Sequence, residues 1–401
     1  KVVLRHNLFL CPIIQKWVDK SCSHNHFFDY SDSPCNFSHH IIVLQIQLIP
    51  KFSLKTFIPL FVFSLLFSST SLLFGQKIHG SITDASNNPL RFATIYIRNL
   101  ETGASSNAEG NFEYQLPTGK YDVVFQYLGY TAQVVFVEIL NQDVRLDIQL
   151  KPRDIVLREV EVKAGKEDAA YGIMRKVIAK TKYHINQIDR YQAKVYTKGS
   201  GRIMDAPFFL RNKMKEEGVD STSSFTSESI SEVTYTRPNN YDTRVISIRS
   251  NGDDNNTSPQ EAINSSFYEP MILKAISPLS PKAFAYYRFE YLGTFNESGE
   301  EISKIRVIPR SKGDDLFRGQ IYIVENNWAL HSLALSTTHM GVHLGISQIY
   351  NPIQKQAWLP VSHTFDVRGK FFGFDFEYKY LATVSEYEIT LNPALVPDVE
   401  V

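Results

Sequence analysis

The twenty residues Asn111–Tyr130, "NFEYQLPTGKYDVVFQYLGY", hold two runs of alternating character separated by a proline–glycine turn. In the first run Phe112, Tyr114 and Leu116 fall on one side, with Asn111, Glu113 and Gln115 on the other. In the second, Tyr121, Val123, Phe125 and Tyr127 share a side. Successive side chains of an extended chain point to opposite faces, so each run reads as a strand with one buried face. Pro117, Thr118 and Gly119 supply the chemistry of a tight reversal between them.

The same period extends in both directions. "ATIYIR" sets Ala93, Ile95 and Ile97 on one side, and "DVRLDIQL" alternates Val144, Leu146, Ile148 and Leu150 with charged or polar neighbours. "DASNNP", "ETGASSNAEG" and "LGY" punctuate the runs. Gly110 suits a turn that needs a positive φ, and Phe112 and Tyr121 fill a core. The spacing predicts a seven-stranded, antiparallel β-sandwich over residues 76–152.

The stretch from Gly80 to Gln133 resembles the carboxypeptidase-regulatory-like domain. The marks are Gly80 and Asp84, Pro89-Leu90 leading into Ala93, then Gly103, Gly110, Phe112, Pro117, Gly119, Tyr121 and Gly129-Tyr130. The resemblance implies a transthyretin (prealbumin)-like sandwich. It implies no catalysis, since this domain accompanies carboxypeptidases without being their catalytic part.

Residues 153–165, with "LREVEVKAG" at Leu157–Gly165, read as a connecting strand. The period then changes. In "KEDAAYGIMRKVIAKTKYH" the residues Ala170, Ile173, Met174, Val177 and Ile178 share one helical face. Glu167 and Asp168 at its start and Lys180 and Lys182 near its end complement the helix dipole. Arg211–Ser231 is a polar stretch, and "RSNGDDNNTSPQEAIN" is a loop by composition. From Ala285 long strands follow without intervening helices, ending in "FFGFDFEYKYLATV". There Phe372, Phe374, Phe376, Tyr378 and Tyr380 alternate with Gly373, Asp375, Glu377 and Lys379. Residues 166–395 therefore predict an α+β domain, one long helix packed on the concave side of a large curved antiparallel sheet. The fold class is mainly β.

The order "EDAAYGIMRKVIAKTKYHINQIDRYQAKVYTKGSGRI", "SESISEV", "FYEP", "SPLSP", "YRFEYLGT" and "IRVIPRSKGDDLFRGQIYIVENNWAL" is similar to a domain-of-unknown-function family of Bacteroidetes outer-membrane proteins. Its members usually follow a carboxypeptidase-regulatory-like domain and continue into a C-terminal outer-membrane β-barrel. The resemblance implies such a barrel as partner beyond Val401, and a place on the periplasmic face of the outer membrane.

Lys51–Gly75, "KFSLKTFIPLFVFSLLFSSTSLLFG", has a cationic start, a long apolar run and a small last residue. That order is the logic of a secretory signal, with cleavage expected between Gly75 and Gln76; an uncleaved membrane anchor is the alternative. Residues 1–50 show neither period, and the first methionine is Met174. They are expected to be upstream translation outside the working protein. Cys11, Cys22 and Cys35, the only cysteines, all precede the signal.

Lys plus Arg equals Asp plus Glu at 42 each, so no whole-chain field draws in nucleic acid. A zinc carboxypeptidase needs His-x-x-Glu and a distant His; no histidine after the signal is followed by Glu at the third position. G-x-S-x-G and the P-loop are absent as well. His339 and His343 stand about 13 Å apart on a continuous strand, so one ion reaches both only if the chain turns at Gly341. "SKGDDLF" at Ser311–Phe317 reads as a hairpin turn, and "DST" at Asp220 matches a short glycosylation sequon.

No catalytic, cofactor or metal site is expected. The leading expectation is a non-enzymatic envelope protein with an assembly, scaffolding or transport role. The second is a periplasmic carrier of lipid or lipopeptide, using the aromatic face Phe372, Phe374, Phe376, Tyr378 and Tyr380. A hydrolase whose groups follow none of these patterns is the third.

Overall fold

The computed structural model describes residues 76–153, 167–216, 224–251, 260–311, 315–354, 357–371 and 373–395. The leader with Gly75, the strand proposed at Leu157–Gly165, residues 1–50, Asp220 and Phe372 lie outside them. Gln76, the residue after the expected cleavage, opens the first strand.

Eight strands build the sandwich. They are β1 (Gln76–Thr83), β2 (Thr94–Ile97), β3 (Thr102–Ser105), β4 (Asn111–Leu116), β5 (Gly119–Gln126), β6 (Gln133–Ile139), β7 (Val144–Arg145) and β8 (Ile148–Gln149). One sheet runs β4-β1-β7 with β8 also on β1, and the other runs β3-β2-β5-β6. The inward residues meet in one core that includes Ile78, Ile95, Phe112, Val123, Phe125 and Ile148. Two details differ from the sequence reading. Val144–Leu150 is two short strands, interrupted where the Asp147 carboxylate accepts from the Ser81 N–H at 3.2 Å and the Ser81 hydroxyl at 2.9 Å. Both pair parallel to β1, so the sandwich is not wholly antiparallel. Alternation reports which face a residue takes and is silent on strand direction.

The second unit opens with α1 (Ala169–Asn186). Asp168 caps it, its carboxylate accepting from the Ala170 N–H at 2.9 Å. Ala170, Met174, Val177 and Thr181 are buried, with Ile173 and Ile178 half-buried beside them. Then come β9 (Ile188–Asp205), α2 (Phe208–Glu216), β10 (Ser224–Thr236), β11 (Asn240–Ser250), α3 (Gln260–Asn264), β12 (Met271–Ile272), β13 (Ala275–Ile276) and α4 (Ala283–Tyr286). Seven strands close the chain: β14 (Tyr287–Glu297), β15 (Glu300–Pro309), β16 (Arg318–Val324), β17 (Leu330–His339), β18 (Val342–Ile353), β19 (Ala357–Phe371) and β20 (Phe374–Leu391). The ten long strands form one sheet, ordered β11-β10-β9-β20-β19-β18-β17-β16-β15-β14, with antiparallel neighbours throughout.

The described residues of the polar stretch Arg211–Ser231 are helix and strand. They hold the end of α2 and the first half of β10, a strand built from Ser, Thr and Glu. Such a strand carries little hydrophobic signal, because β9 and β11 supply its partners through the backbone.

Directly paired residues present side chains on the same face. One transverse row reads Phe289–Val307–Gly319–Leu335–Ile346–Phe365–Tyr380–Gly199–Ser227 from β14 to β10. Tyr171 of α1 meets the Phe289 ring edge-on at 6.0 Å, so the helix lies on that face. The opposite face carries the row Thr383–Ser362–Ile349–Ser332–Tyr322. Ser105 of the sandwich bonds Thr383 at 3.0 Å, and Leu128 packs with Phe295, Ile302 and Tyr322. The sheet is thus covered by the helix on one face and by the sandwich on the other.

Candidate functional site

The aromatic stripe lies on the helix-bearing face. Phe374, Phe376, Tyr378 and Tyr380 are all buried along β20. β9 makes room for them. Tyr378 pairs with Gly201 and Tyr380 with Gly199, and a Cβ on either glycine would strike the facing ring at 2.2 Å and 2.6 Å. The two tyrosine rings contact each other at 4.4 Å. The stripe is therefore a packed seam between β9 and β20.

A polar network sits on the same face, one row along. His363 pairs with Ala382, two residues past Tyr380, and with Gln348. The Gln348 side-chain amide lies 2.9 Å from His363 Nδ1, and its oxygen accepts from the Tyr350 hydroxyl at 2.7 Å. With Nδ1 accepting, neutral His363 carries its proton on Nε2, which is buried without a partner. Burial pushes the His363 pKa down to about 4. It does the same to His184, down to about 4, on a ring stacked 4.8 Å from Tyr268.

The third group of interest lies between sandwich and sheet. Arg153, just past the sandwich, pairs with Glu297 at the end of β14 and sits 4.0 Å over the Phe295 ring. His331 Nε2 approaches the other Glu297 oxygen at 3.2 Å, and its Nδ1 lies 3.1 Å from the Ser332 hydroxyl. The three side chains are only 7%, 10% and 6% exposed. Burial raises the Glu297 pKa, but the His331 ring and the Arg153 guanidinium outweigh it and hold the carboxyl below its ordinary range. Nearby, Gln126 donates to Asn351 at 3.3 Å and the Gln354 N–H donates to Glu101 at 2.8 Å, again across the boundary. Sequence patterning cannot reveal this cluster, because its members stand in three distant segments.

His339 and His343 do meet a turn, at Met340–Gly341, but their pairing partners put them on opposite faces: His339 faces Val342 and His343 faces Thr338. His339 Nδ1 instead contacts Asp315 at 2.5 Å, in the segment read as a hairpin turn. Among the described residues no group of three or more His, Cys, Asp or Glu is placed to hold a metal ion.

The model of a family of unknown function, DUF5686, matches residues 173–387, over half of the chain. The chain belongs to DUF5686. A CarboxypepD_reg-like domain matches residues 78–162, ahead of the DUF5686 region, as the sandwich motifs imply. A comparison with curated proteins finds no match. Among solved structures, a domain described as an outer-membrane lipoprotein-sorting protein from Vibrio parahaemolyticus aligns at 11% identity, over 57% of this chain and 95% of that one, with a TM-score of 0.24. A DUF1329 protein from Desulfovibrio piger aligns at 8% identity, over 57% and 96%, with a TM-score of 0.25. A LolA superfamily protein from Nitrosomonas europaea aligns at 8% identity, over 56% and 94%, with a TM-score of 0.20. Scores at this level do not establish a shared fold. In this DUF5686 chain, none of the described helices is long and apolar enough to cross a membrane.

Proposed function

We propose that this DUF5686 protein is a non-enzymatic scaffold of the bacterial envelope, exported to the periplasmic face of the outer membrane, where it engages a β-barrel partner. The observation that carries this reading is the buried Arg153–Glu297–His331 cluster. Three ionisable groups withdrawn from water at a domain boundary are tolerated when their mutual bonds stay made. That favours one rigid body over two mobile modules, and a rigid body suits holding a partner in place. The signal-like order of Lys51–Gly75 supports export.

Fractionation of the native host tests the reading. The protein is expected in the outer-membrane fraction, with Glu297→Ala lowering its co-isolation with the barrel partner. Recovery in the cytoplasm contradicts it.

A second reading, the lipid or lipopeptide carrier, draws on the shared face of α1 and the aromatic stripe. It requires Phe374, Phe376, Tyr378 and Tyr380 to leave buried positions. Native mass spectrometry separates the two: the scaffold shows its bare mass, and a carrier shows stoichiometric lipid.

A further inference from the structure

On the sandwich-bearing face of the sheet, positive charge gathers over β14, β15 and β16. Lys304 pairs with Tyr322 and so shares its face. Two residues on, Arg306 pairs with Glu290 and with Gln320, and two further Ile308 pairs with Arg288. Arg318 stands two residues before Gln320, on the same side of its strand. These three rows carry four cations and one acid, in a chain whose basic and acidic residues are equal in number.

Pairing within the fold leaves most of that charge in place. Arg306 is tied to Glu290 at 2.8 Å. Arg288 and Arg318 are exposed and make no ion pair with any described residue. Lys304 lies 5.6 Å from the Tyr322 ring; burial lowers its pKa, and the nearby Arg306 and Arg153 push it the same way. A hollow of about 500 Å³ opens on this patch, its lining including Arg306, Ile308, Pro309, Ser311, Arg318 and Gln320. Two guanidinium groups, an amide and a hydroxyl supply donors there, while Ile308 and Pro309 supply apolar surface. Arg288 stands across Ile308 from Arg318. Their strands are two apart, about 10 Å between backbones, so both guanidinium groups reach one anion above Ile308.

We propose that this hollow binds a phosphate-bearing ligand, with Arg288 and Arg318 on the phosphate and Ile308 and Pro309 against the group that carries it. The planar guanidinium fork matches phosphate oxygens in geometry as well as in charge. The site goes beyond the scaffold reading and is tested without it.

The test is modification of the full chain by phenylglyoxal, a guanidinium reagent, followed residue by residue by mass spectrometry of peptides. Because the readout is local, binding elsewhere on the chain does not imitate it. Saturating glycerol 3-phosphate should slow modification of Arg288 and Arg318 by about fivefold or more and leave Arg249, exposed on β11, unchanged. Arg318→Gln should abolish the protection of Arg288, since the two share one phosphate. Inorganic phosphate and phosphatidylglycerol vesicles, at equal phosphate, identify the source: protection strongest with vesicles assigns a lipid headgroup, and protection strongest with a soluble probe assigns a free phosphate or a phosphorylated small molecule. Arg288 and Arg318 equally reactive with and without every probe overturns the proposal. So does equal protection of Arg249, which would make the effect one of general charge, or equal protection by succinate, which would remove the preference for phosphate.

Discussion

The sandwich and the ten-stranded sheet bury their cores in opposite ways. The sandwich fills one interior between two four-stranded sheets, and most of its pairings are non-local: β1 pairs with β4, β7 and β8 and β2 with β5, whereas β2–β3 and β5–β6 join consecutive strands. The large sheet is joined through β9 and β20, where Ile203 meets Phe376 across most of the domain. The other eight pairings of this sheet join consecutive strands; a contact as distant as β9–β20 forms late and costs more chain entropy, so that seam is where the sheet is most exposed to perturbation. Yet its face opposite α1 is where the sandwich is seated, and the boundary is closed by buried charge. A module of mostly non-local pairings is thus mounted on a sheet of consecutive strands closed by one long-range seam.

Acid should separate the two most strongly. His184 and His363 both belong to the sheet domain, and both have folded pKa values near 4, well below the ordinary 6.5. Between these values the unfolded chain binds more protons, so stability rises with pH across that window and falls on acidification. Each histidine costs about 3 kcal/mol by pH 4, at about 1.4 kcal/mol per pH unit. Glu297 acts in the same direction at lower pH: its lowered pKa stabilises the fold above the ordinary carboxylate range, and that contribution is lost as pH falls through the folded value. Tryptophan fluorescence of the chain from Gln76, which removes Trp17 and leaves Trp328 and Trp358 in the sheet domain and none in the sandwich, should show the sheet melting on acidification while amide protection in β4 and β5 persists. His363→Gln should remove roughly half of the slope between pH 6.5 and 4.

Next in size is the boundary itself. Glu297→Ala leaves Arg153 and His331 buried without their shared partner and should cost about 3–5 kcal/mol in urea denaturation. Arg153→Met combined with Glu297→Leu should recover most of that loss, since paired apolar replacements remove the uncompensated charge. If the double variant is as unstable as the single one, packing and not charge closes the boundary.

Gly201→Val tests the seam at long range. Its Cβ meets the Tyr378 ring and the Glu377 carbonyl, and overpacking of this kind costs about 1–3 kcal/mol. The loss should register in the fluorescence transition and leave sandwich protection unchanged. The smallest effect belongs to Gly172→Ala, exposed in α1 with open space around its Cβ, which should stabilise the helix by about 0.5–1 kcal/mol.

The comparison also explains what could be read from sequence. Phe112, Tyr121 and Phe125 alternate with polar residues because the sandwich has a dry side and mostly wet outer faces, and its existence and extent are visible from that alone. In the sheet domain the stripe at Phe374–Tyr380 is visible for the same reason, and so is the buried face of α1. The signal weakens where both faces are covered, as in β17, which begins with four consecutive buried residues. It vanishes in β10, whose Ser and Thr pair by backbone bonds, and in α2, whose exposed Phe208 and Phe209 break the usual rule for a surface helix. The Arg153–Glu297–His331 cluster leaves no local trace at all, because only the fold brings 153, 297 and 331 together.

Rigid docking of sandwich on sheet is the claim from which the scaffold role follows, and backbone ¹⁵N relaxation measures it most directly. Amides of β4 and β5 and amides of β15 to β18 should report a single rotational correlation time, that of the joined body. Two correlation times, with the sandwich tumbling faster, would contradict the docked arrangement and remove the basis for the scaffold.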